Sequence, residues 1–153
     1  MKQTTLCYIE KNGQYLMLHR NKKANDFNRE KWIGVGGKIE GSETPEEGML
    51  REVKEETGLT LVSYAYRGLV IFLCDNGDDQ YMHLFTADAY EGELAECDEG
   101  ELEWVPIERV PTLPLWEGDR IFLRQLAESE RFFTLKLVYE GGRLTEHVLR
   151  VYG

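Results

Sequence analysis

Apolar residues are distributed along this chain as in a sheet protein, in runs of β-branched and aromatic residues separated by turn residues. These runs predict strands over residues 4–9, 15–20, 61–74, 81–90, 102–105, 132–139 and 144–152. An Asn12-Gly13 turn makes a hairpin of the first two strands, and Gly141-Gly142 makes one of the last two. Residues 32–39 are predicted to be a short extended segment that leads into the first helix.

Two helices interrupt the strands. The first is predicted over Pro45–Thr57, because Thr44 suits the N-cap, Glu47 completes a Thr-x-x-Glu capping box and Gly58 suits a left-handed stop. The second is predicted over residues 118–129, where four apolar residues recur near helical spacing. The order of elements predicts an α/β (α+β) fold in which a mixed sheet packs between helices.

Length and charge narrow the functional class. The chain has 153 residues and is 42% hydrophobic, which suits one compact domain over residues 1–153. Eighteen basic and twenty-eight acidic residues give a net charge of −10, which argues against a nucleic-acid polymer as partner. A small phosphorylated ligand stays compatible with this charge if metal ions offset it.

The cysteines and the hydropathy pattern indicate a cytoplasmic protein. Cys7, Cys74 and Cys97 are odd in number and lack CxxC spacing, so we expect reduced structural thiols. We see no N-terminal signal and no apolar run of about eighteen residues, so we expect no membrane partner. The sequence leaves open whether the protein is a monomer or a homodimer.

The first helix also carries the strongest chemical signal. Glu52, Glu55 and Glu56 lie at positions i, i+3 and i+4, where like charges repel by roughly 0.2–0.5 kcal/mol per pair. One interpretation is a solvated acidic face. The other is a Mg²⁺ site, since Mg²⁺ prefers carboxylate oxygens together with substrate phosphates. The glycine turn before the helix and the possible pairing of Arg51 with Glu43 and Glu55 favour the metal site.

The stretch from Gly37 to Leu59 resembles the signature box of the Nudix hydrolase superfamily. Its matching pattern is Gly37-x5-Glu43-x7-Arg51-Glu52-Val53-x-Glu55-Glu56-x-Gly58-Leu59. The resemblance implies the Nudix fold, an α/β/α sandwich. It also implies hydrolysis of a nucleoside diphosphate linked to another group, with Mg²⁺ as cofactor and Mn²⁺ as a substitute.

The resemblance further implies roles for individual residues. The expected metal ligands are the Gly36 carbonyl, Glu52, Glu55, Glu56 and, from a later loop, Glu99. Glu52 is the first candidate for the general base and Glu56 the second, while Glu43 and Arg51 are expected to support the site through a salt bridge. Lys38 and Arg20 are candidate phosphate contacts, although Arg20 could equally be a surface charge.

Beyond the box, the chain resembles the MutT-like branch that hydrolyses oxidised purine nucleoside triphosphates. That likeness implies that Phe27 and Trp116 contact the base and that Asp119 hydrogen-bonds its edge; a buried aromatic is the alternative for Trp116. Ile33 stands where the branch carries an asparagine, and Gly118 replaces a further acid. We therefore expect a (deoxy)nucleoside triphosphate pyrophosphohydrolase with oxidised purines such as 8-oxo-dGTP as leading substrates. The alternatives are ADP-ribose, a dinucleoside polyphosphate, or a non-catalytic nucleotide sensor.

Overall fold

The computed structural model describes residues 1–23 and 28–153. Within them lie eight strands, two α-helices and one 3₁₀ helix (Ile107–Thr112). The strands are β1 (Lys2–Lys11), β2 (Gln14–His19), β3 (Trp32–Ile33), β4 (Thr60–Cys74), β5 (Gln80–Glu91), β6 (Glu101–Pro106), β7 (Phe133–Glu140) and β8 (Arg143–Val151), and the helices are α1 (Pro45–Thr57) and α2 (Asp119–Glu128). Both predicted helices and all seven predicted strands are confirmed, α1 with the predicted bounds and the others with ends that differ by one to a few residues. Of the extended segment predicted over residues 32–39, only Trp32–Ile33 forms a strand.

The strands form one mixed sheet with helices on both faces. Its order is β3-β2-β1-β5-β4-β7-β8, and β6 pairs with β2. The β1–β5 and β4–β7 pairs are parallel, and the other pairs are antiparallel. Side chains of β1 alternate between the two cores: Leu6 and Tyr8 join the α2 side, and Cys7 and Ile9 join the α1 side. This arrangement confirms the mixed sheet between helices.

A gap between β1 and β2 positions the glycine turn. The two strands pair over two residue positions next to their turn and then separate. The extended segment after β3 enters this gap, where the Cys7 and Val35 backbones exchange hydrogen bonds of 2.6 and 3.0 Å. Further along, the Thr5 N–H donates to the Gly37 carbonyl at 2.8 Å. The sheet therefore holds Gly36 and Gly37 in place through the main chain.

Helix α1 begins and ends as its sequence predicts. The Glu47 N–H donates to the Thr44 hydroxyl at 3.1 Å, and the Thr44 N–H donates to the Glu47 carboxylate at 2.9 Å. Gly58 ends the helix with φ of 81°. Buried Met49 and Val53 pack this helix against the sheet. Glu56 shares this buried side of α1, and its carboxylate accepts a hydrogen bond from the Gly36 N–H of the glycine turn.

Helix α2 closes the other face of the sheet. Its Phe122, Leu123 and Leu126 are buried in the core, and the Arg67 guanidinium caps its C-terminal end by donating to the Leu126 and Ser129 carbonyls. Across residues 1–23 and 28–153, we find no helix with the length and apolar character that a bilayer crossing requires.

Candidate active site

Most of the residues singled out from the sequence meet in one cavity of about 450 Å³. Eight of them line its wall: Arg20, Ile33, Gly36, Lys38, Glu52, Glu99, Trp116 and Asp119. Phe27 lies outside the described residues. The cavity has an acidic end at the glycine turn and an aromatic end at the start of α2, so both groups of predicted residues face one ligand volume.

Glu56 is the most deeply buried acid of the site. It is 7% exposed, and its Oε1 accepts a hydrogen bond of 2.8 Å from the Gly36 N–H. Its Oε2 is buried, and among the described residues no N–H or hydroxyl group donates to it; only a proton held between the Glu56 and Glu99 carboxyls could do so. Ligand atoms of Glu56, Cys97 and Glu99 lie within 4.8 Å of one another. A buried carboxylate oxygen without a partner is costly, and a bound cation would satisfy it.

Burial and charge set the protonation of this acid pair. Burial, reinforced by Glu99, raises the pKa of Glu56 to about 9. The pKa of Glu99 is lowered by its hydrogen bond with Glu56 and by the Arg20 and Lys23 charges. The Arg20 Nη1 donates to Glu99 at 3.1 Å, and Lys23 pairs with it at 3.5 Å. A proton between the two carboxyls, or a divalent cation in its place, would therefore relieve their repulsion.

Glu52 stands at the cavity wall beside Gly37. A Cβ on Gly37 would lie 2.4 Å from the Glu52 carboxyl carbon, so any side chain there would displace the carboxylate. Burial raises the pKa of Glu52, and the hydrogen bond from Arg51 opposes that rise. A glycine at this position is therefore required for Glu52 to face the cavity.

Arg51 connects the loop to the helix. Its guanidinium donates to both Glu43 oxygens at 2.7 and 3.0 Å, to Glu52 at 2.9 Å and to Glu55 at 3.2 Å. It also donates to the Lys38 carbonyl at 2.9 Å. The predicted pairing of Arg51 with Glu43 and Glu55 is confirmed, and the contact with Glu52 adds to it. Arg51 thereby offsets the repulsion expected among the helix glutamates.

The three helix glutamates differ in how deeply they are buried. Glu56 is buried, Glu52 is at the cavity wall, and the Glu55 side chain is 59% exposed and bound to Arg51. Glu55 is absent from the cavity lining and from the Glu56 cluster in the described residues. The structure therefore places Glu52 and Glu99 on the cavity wall and Glu56 buried next to Glu99, and it leaves Glu55 exposed beside Arg51.

The aromatic end is built around Trp116. Its Nε1 donates to the Asn28 side-chain oxygen at 2.7 Å, and its ring meets Phe72 edge-on at 5.5 Å. The Lys31 ammonium lies 5.0 Å from the ring centroid. Asp119 is 3% exposed, and burial raises its pKa to about 7. An indole and a carboxyl that is easily protonated thus stand side by side.

Neighbouring side chains leave no room for a Cβ at Gly118. A Cβ there would lie 2.5 Å from the Leu137 methyl and 2.8 Å from the Tyr139 hydroxyl, and the Gly118 N–H donates to that hydroxyl at 2.7 Å. An acid next to Asp119 would not fit this backbone. With Ile33 on the wall, this end of the cavity offers fewer polar groups than the branch pattern implied.

The sequence analysis did not assign Cys97, Asn28 or Lys31 to the site. Cys97 was interpreted as a structural thiol, whereas its sulfur faces Glu56 and Glu99. Asn28 and Lys31 come from an irregular polar stretch, and only the fold places them against Trp116. The sequence feature that could have indicated Cys97 is its position two residues before Glu99, which was an expected metal ligand.

The donor set at the acidic end suits a hard divalent cation. Glu52, Glu99 and the Gly36 backbone line the cavity wall, and the buried Glu56 lies beside Glu99 with one oxygen that no N–H or hydroxyl group reaches among the described residues. These are the residues that could hold such an ion.

Comparisons with known proteins agree with this geometry. The NUDIX domain model matches residues 2–126. The oxidized purine nucleoside triphosphate hydrolase of Danio rerio is 35% identical over 133 residues, which covers 86% of this chain and 83% of that protein. Its namesake in Mus musculus is 30% identical over 111 residues, with 72% and 71% coverage.

Solved structures resemble the fold closely. The mutator MutT protein of Bacillus halodurans superposes with a TM-score of 0.86 at 27% identity and covers 97% of both chains. The MutT NUDIX hydrolase of Burkholderia pseudomallei gives a TM-score of 0.72 at 29% identity, with 82% and 97% coverage.

Proposed function

The chain belongs to the NUDIX family, and we propose that it is a Mg²⁺-dependent pyrophosphohydrolase that converts a (deoxy)nucleoside triphosphate to the monophosphate and pyrophosphate. The leading substrate is an oxidised purine nucleotide such as 8-oxo-dGTP, which makes the activity one of nucleotide-pool sanitation. The observation that carries this proposal is the single cavity with acids at one end and Trp116 and Asp119 at the other.

The acidic end would perform the chemistry. Glu52, Glu56, Glu99 and the Gly36 carbonyl would hold Mg²⁺, with Mn²⁺ as a substitute, and the ion would neutralise phosphate charge and lower the pKa of water. Glu52 is our candidate for the general base. It lines the cavity, where a water can approach it, whereas Glu56 is buried behind the wall.

Arg51 and Glu43 act here as positioning residues. Their two hydrogen bonds hold the loop against α1, and a third bond from Arg51 orients the Glu52 carboxylate. Two cationic side chains on the wall, Arg20 and Lys38, would meet the outer phosphate oxygens of the substrate. The net charge of the protein is negative, so these local cations matter for holding a triphosphate.

The aromatic end would select the base. An indole offers a stacking surface to any base, while a carboxyl accepts or donates hydrogen bonds according to its protonation. Asp119 can do both near neutral pH because its pKa is raised to about 7. The names of the Danio rerio and Mus musculus relatives support a purine. The three free thiols support the reducing cytoplasm as its location.

A substrate panel tests the proposal. We expect kcat/KM at fixed Mg²⁺ to be highest for 8-oxo-dGTP or another oxidised purine triphosphate, above dGTP, ADP-ribose and a dinucleoside polyphosphate. Pyrophosphate release should stop when the metal is chelated. Turnover of ADP-ribose alone would move the assignment to that alternative, and nucleotide binding without any Mg²⁺-dependent release would indicate a sensor.

Asp119→Asn should flatten the pH dependence of KM. Below about pH 7 the Asp119 carboxyl is protonated and can donate to the base, and above it the ionised group only accepts. The wild-type KM for a purine triphosphate should therefore change severalfold between about pH 6 and about pH 8. Asparagine does not titrate, so its KM should stay nearly constant over that range.

The exposed Asp88→Asn substitution on β5 serves as the control for this experiment. Titration of the substrate phosphates affects all three proteins equally, so the ratio of their KM values isolates Asp119. Parallel pH profiles for wild type and Asp119→Asn would show that Asp119 does not contact the base.

A further inference from the structure

A thiol lies inside the carboxylate centre. Cys97 is 4% exposed, and its sulfur is within 4.8 Å of the ligand oxygens of Glu56 and Glu99. A tight reversal presents it there: Cys97 bridges to Gly100, and the Lys22 ammonium donates to the Cys97 carbonyl at 2.9 Å. These main-chain contacts hold the Cys97–Gly100 reversal, from which both Cys97 and Glu99 reach Glu56.

We propose that Glu56, Cys97 and Glu99 form a site for a thiophilic divalent cation such as Zn²⁺ or Co²⁺, and that this ion excludes the hard cation needed for hydrolysis. Thiolate sulfur selects soft and borderline cations, whereas Mg²⁺ takes oxygen ligands. The centre can therefore bind a divalent cation in two ways, and both use the carboxylates of Glu56 and Glu99. One uses the cavity-wall oxygens of Glu52, and the other uses the buried sulfur of Cys97.

The distances suit this second mode. A cation that binds sulfur at about 2.3 Å and carboxylate oxygen at about 2.0–2.2 Å brings its ligand atoms to about 3.5 Å from one another. The ligand atoms of the three side chains lie within 4.8 Å of one another. Side-chain movements of about 1 Å would therefore bring them to the spacing that a bound cation needs. As the sulfur–metal bond forms, the thiol proton leaves to water, which also fills the open fourth position.

A second observation at the same place is independent of the cysteine. The Glu56 Oε2 is buried in a residue that is only 7% exposed, and no N–H or hydroxyl group of residues 1–23 and 28–153 donates to it. A buried carboxylate oxygen of this kind needs a proton or a cation, and its residue belongs to the same cluster as the Cys97 sulfur. The other thiols are not part of this cluster: Cys7 is buried in the sheet, and Cys74 stands at the end of β4.

Co²⁺ titration of the reduced protein tests the site. Wild-type protein should develop the near-ultraviolet absorption band of thiolate-to-cobalt charge transfer at one equivalent of Co²⁺. Cys97→Ser should lose the band and bind Co²⁺ at least about tenfold more weakly, while the control Cys74→Ser keeps both. Circular dichroism melts show whether each variant is folded, and Glu56→Gln, which keeps the thiol, should also weaken Co²⁺ binding.

The inhibition rests on the proposed function, but the spectrum does not. Zn²⁺ should inhibit wild-type turnover competitively with Mg²⁺, and its inhibition constant should rise at least about tenfold in Cys97→Ser. A band that persists in Cys97→Ser, a band lost in Cys74→Ser, or no band in folded wild-type protein would overturn the site. A normal band in a protein without hydrolase activity would instead overturn the proposed function alone.

Discussion

Glu56→Gln should lower kcat by about two to four orders of magnitude without loss of the fold. Glutamine preserves the shape of the side chain and can still accept the 2.8 Å hydrogen bond from the Gly36 N–H. It removes the negative charge from the most buried carboxylate of the centre, which is the charge that would neutralise a divalent cation. Initial rates at saturating triphosphate and Mg²⁺ measure the effect.

The same substitution should stabilise the protein when metal is chelated. Burial raises the pKa of Glu56 from 4.5 to about 9, so the folded state holds a proton that the unfolded state releases between those values. Stability therefore falls as pH rises through that window, and glutamine removes the cost. At about pH 7–8 we expect a gain of about 1–3 kcal/mol in the free energy of unfolding, measured with urea.

A loss of turnover combined with a gain in the free energy of unfolding would indicate that Glu56 has a functional and not a structural role. If Glu56→Gln loses both turnover and stability in chelator, the carboxylate is part of the packing and the metal assignment is wrong. Glu46→Gln, in the first turn of α1, is the matched control and should leave turnover near the wild-type value.

Glu52→Gln should lower kcat by a similar two to four orders of magnitude, roughly, for a different reason. Glu52 stands at the cavity wall, where it can take a proton from water, and its amide replacement cannot. The amide oxygen can still accept the 2.9 Å hydrogen bond from Arg51, so the loop should keep its place. Because the proton transfer from water belongs to the reaction step and not to substrate binding, KM should change much less than kcat.

A pH profile of kcat separates the two glutamates. The acid limb of the wild-type profile should disappear in Glu52→Gln if Glu52 is the base, while the residual rate depends little on pH. Near-normal turnover in Glu52→Gln would exclude it as the base and leave Glu56 as the remaining candidate.

Local sequence signals predicted the helix but not the depth of its side chains. The ends of α1 are set by contacts within a few residues, made by Thr44, Glu47 and Gly58. The local sequence pattern was therefore enough to predict where the helix begins and ends. Helical spacing placed Glu52, Glu55 and Glu56 on one face. Which of them is buried depends on the glycine turn held between β1 and β2, a contact distant in sequence.

The aromatic end was harder to predict because three distant segments build it. Trp116 is oriented by Asn28 and Phe72, and the absence of a side chain at Gly118 follows from Leu137 and Tyr139 on β7. Strand alternation indicates that Leu137 and Tyr139 face the core, but no local signal pairs them with Gly118 or pairs Asn28 with Trp116. Cys97 was missed for the same reason, since its ligand partner Glu56 lies forty-one residues earlier in the sequence.

Phosphorus NMR of a single reaction tests the central claim most directly. Purified protein with 8-oxo-dGTP and Mg²⁺ should convert the triphosphate signals into equal amounts of nucleoside monophosphate and inorganic pyrophosphate, and a metal chelator should stop the conversion. Release of orthophosphate with a nucleoside diphosphate, or unchanged conversion in chelator, would contradict a metal-dependent pyrophosphohydrolase.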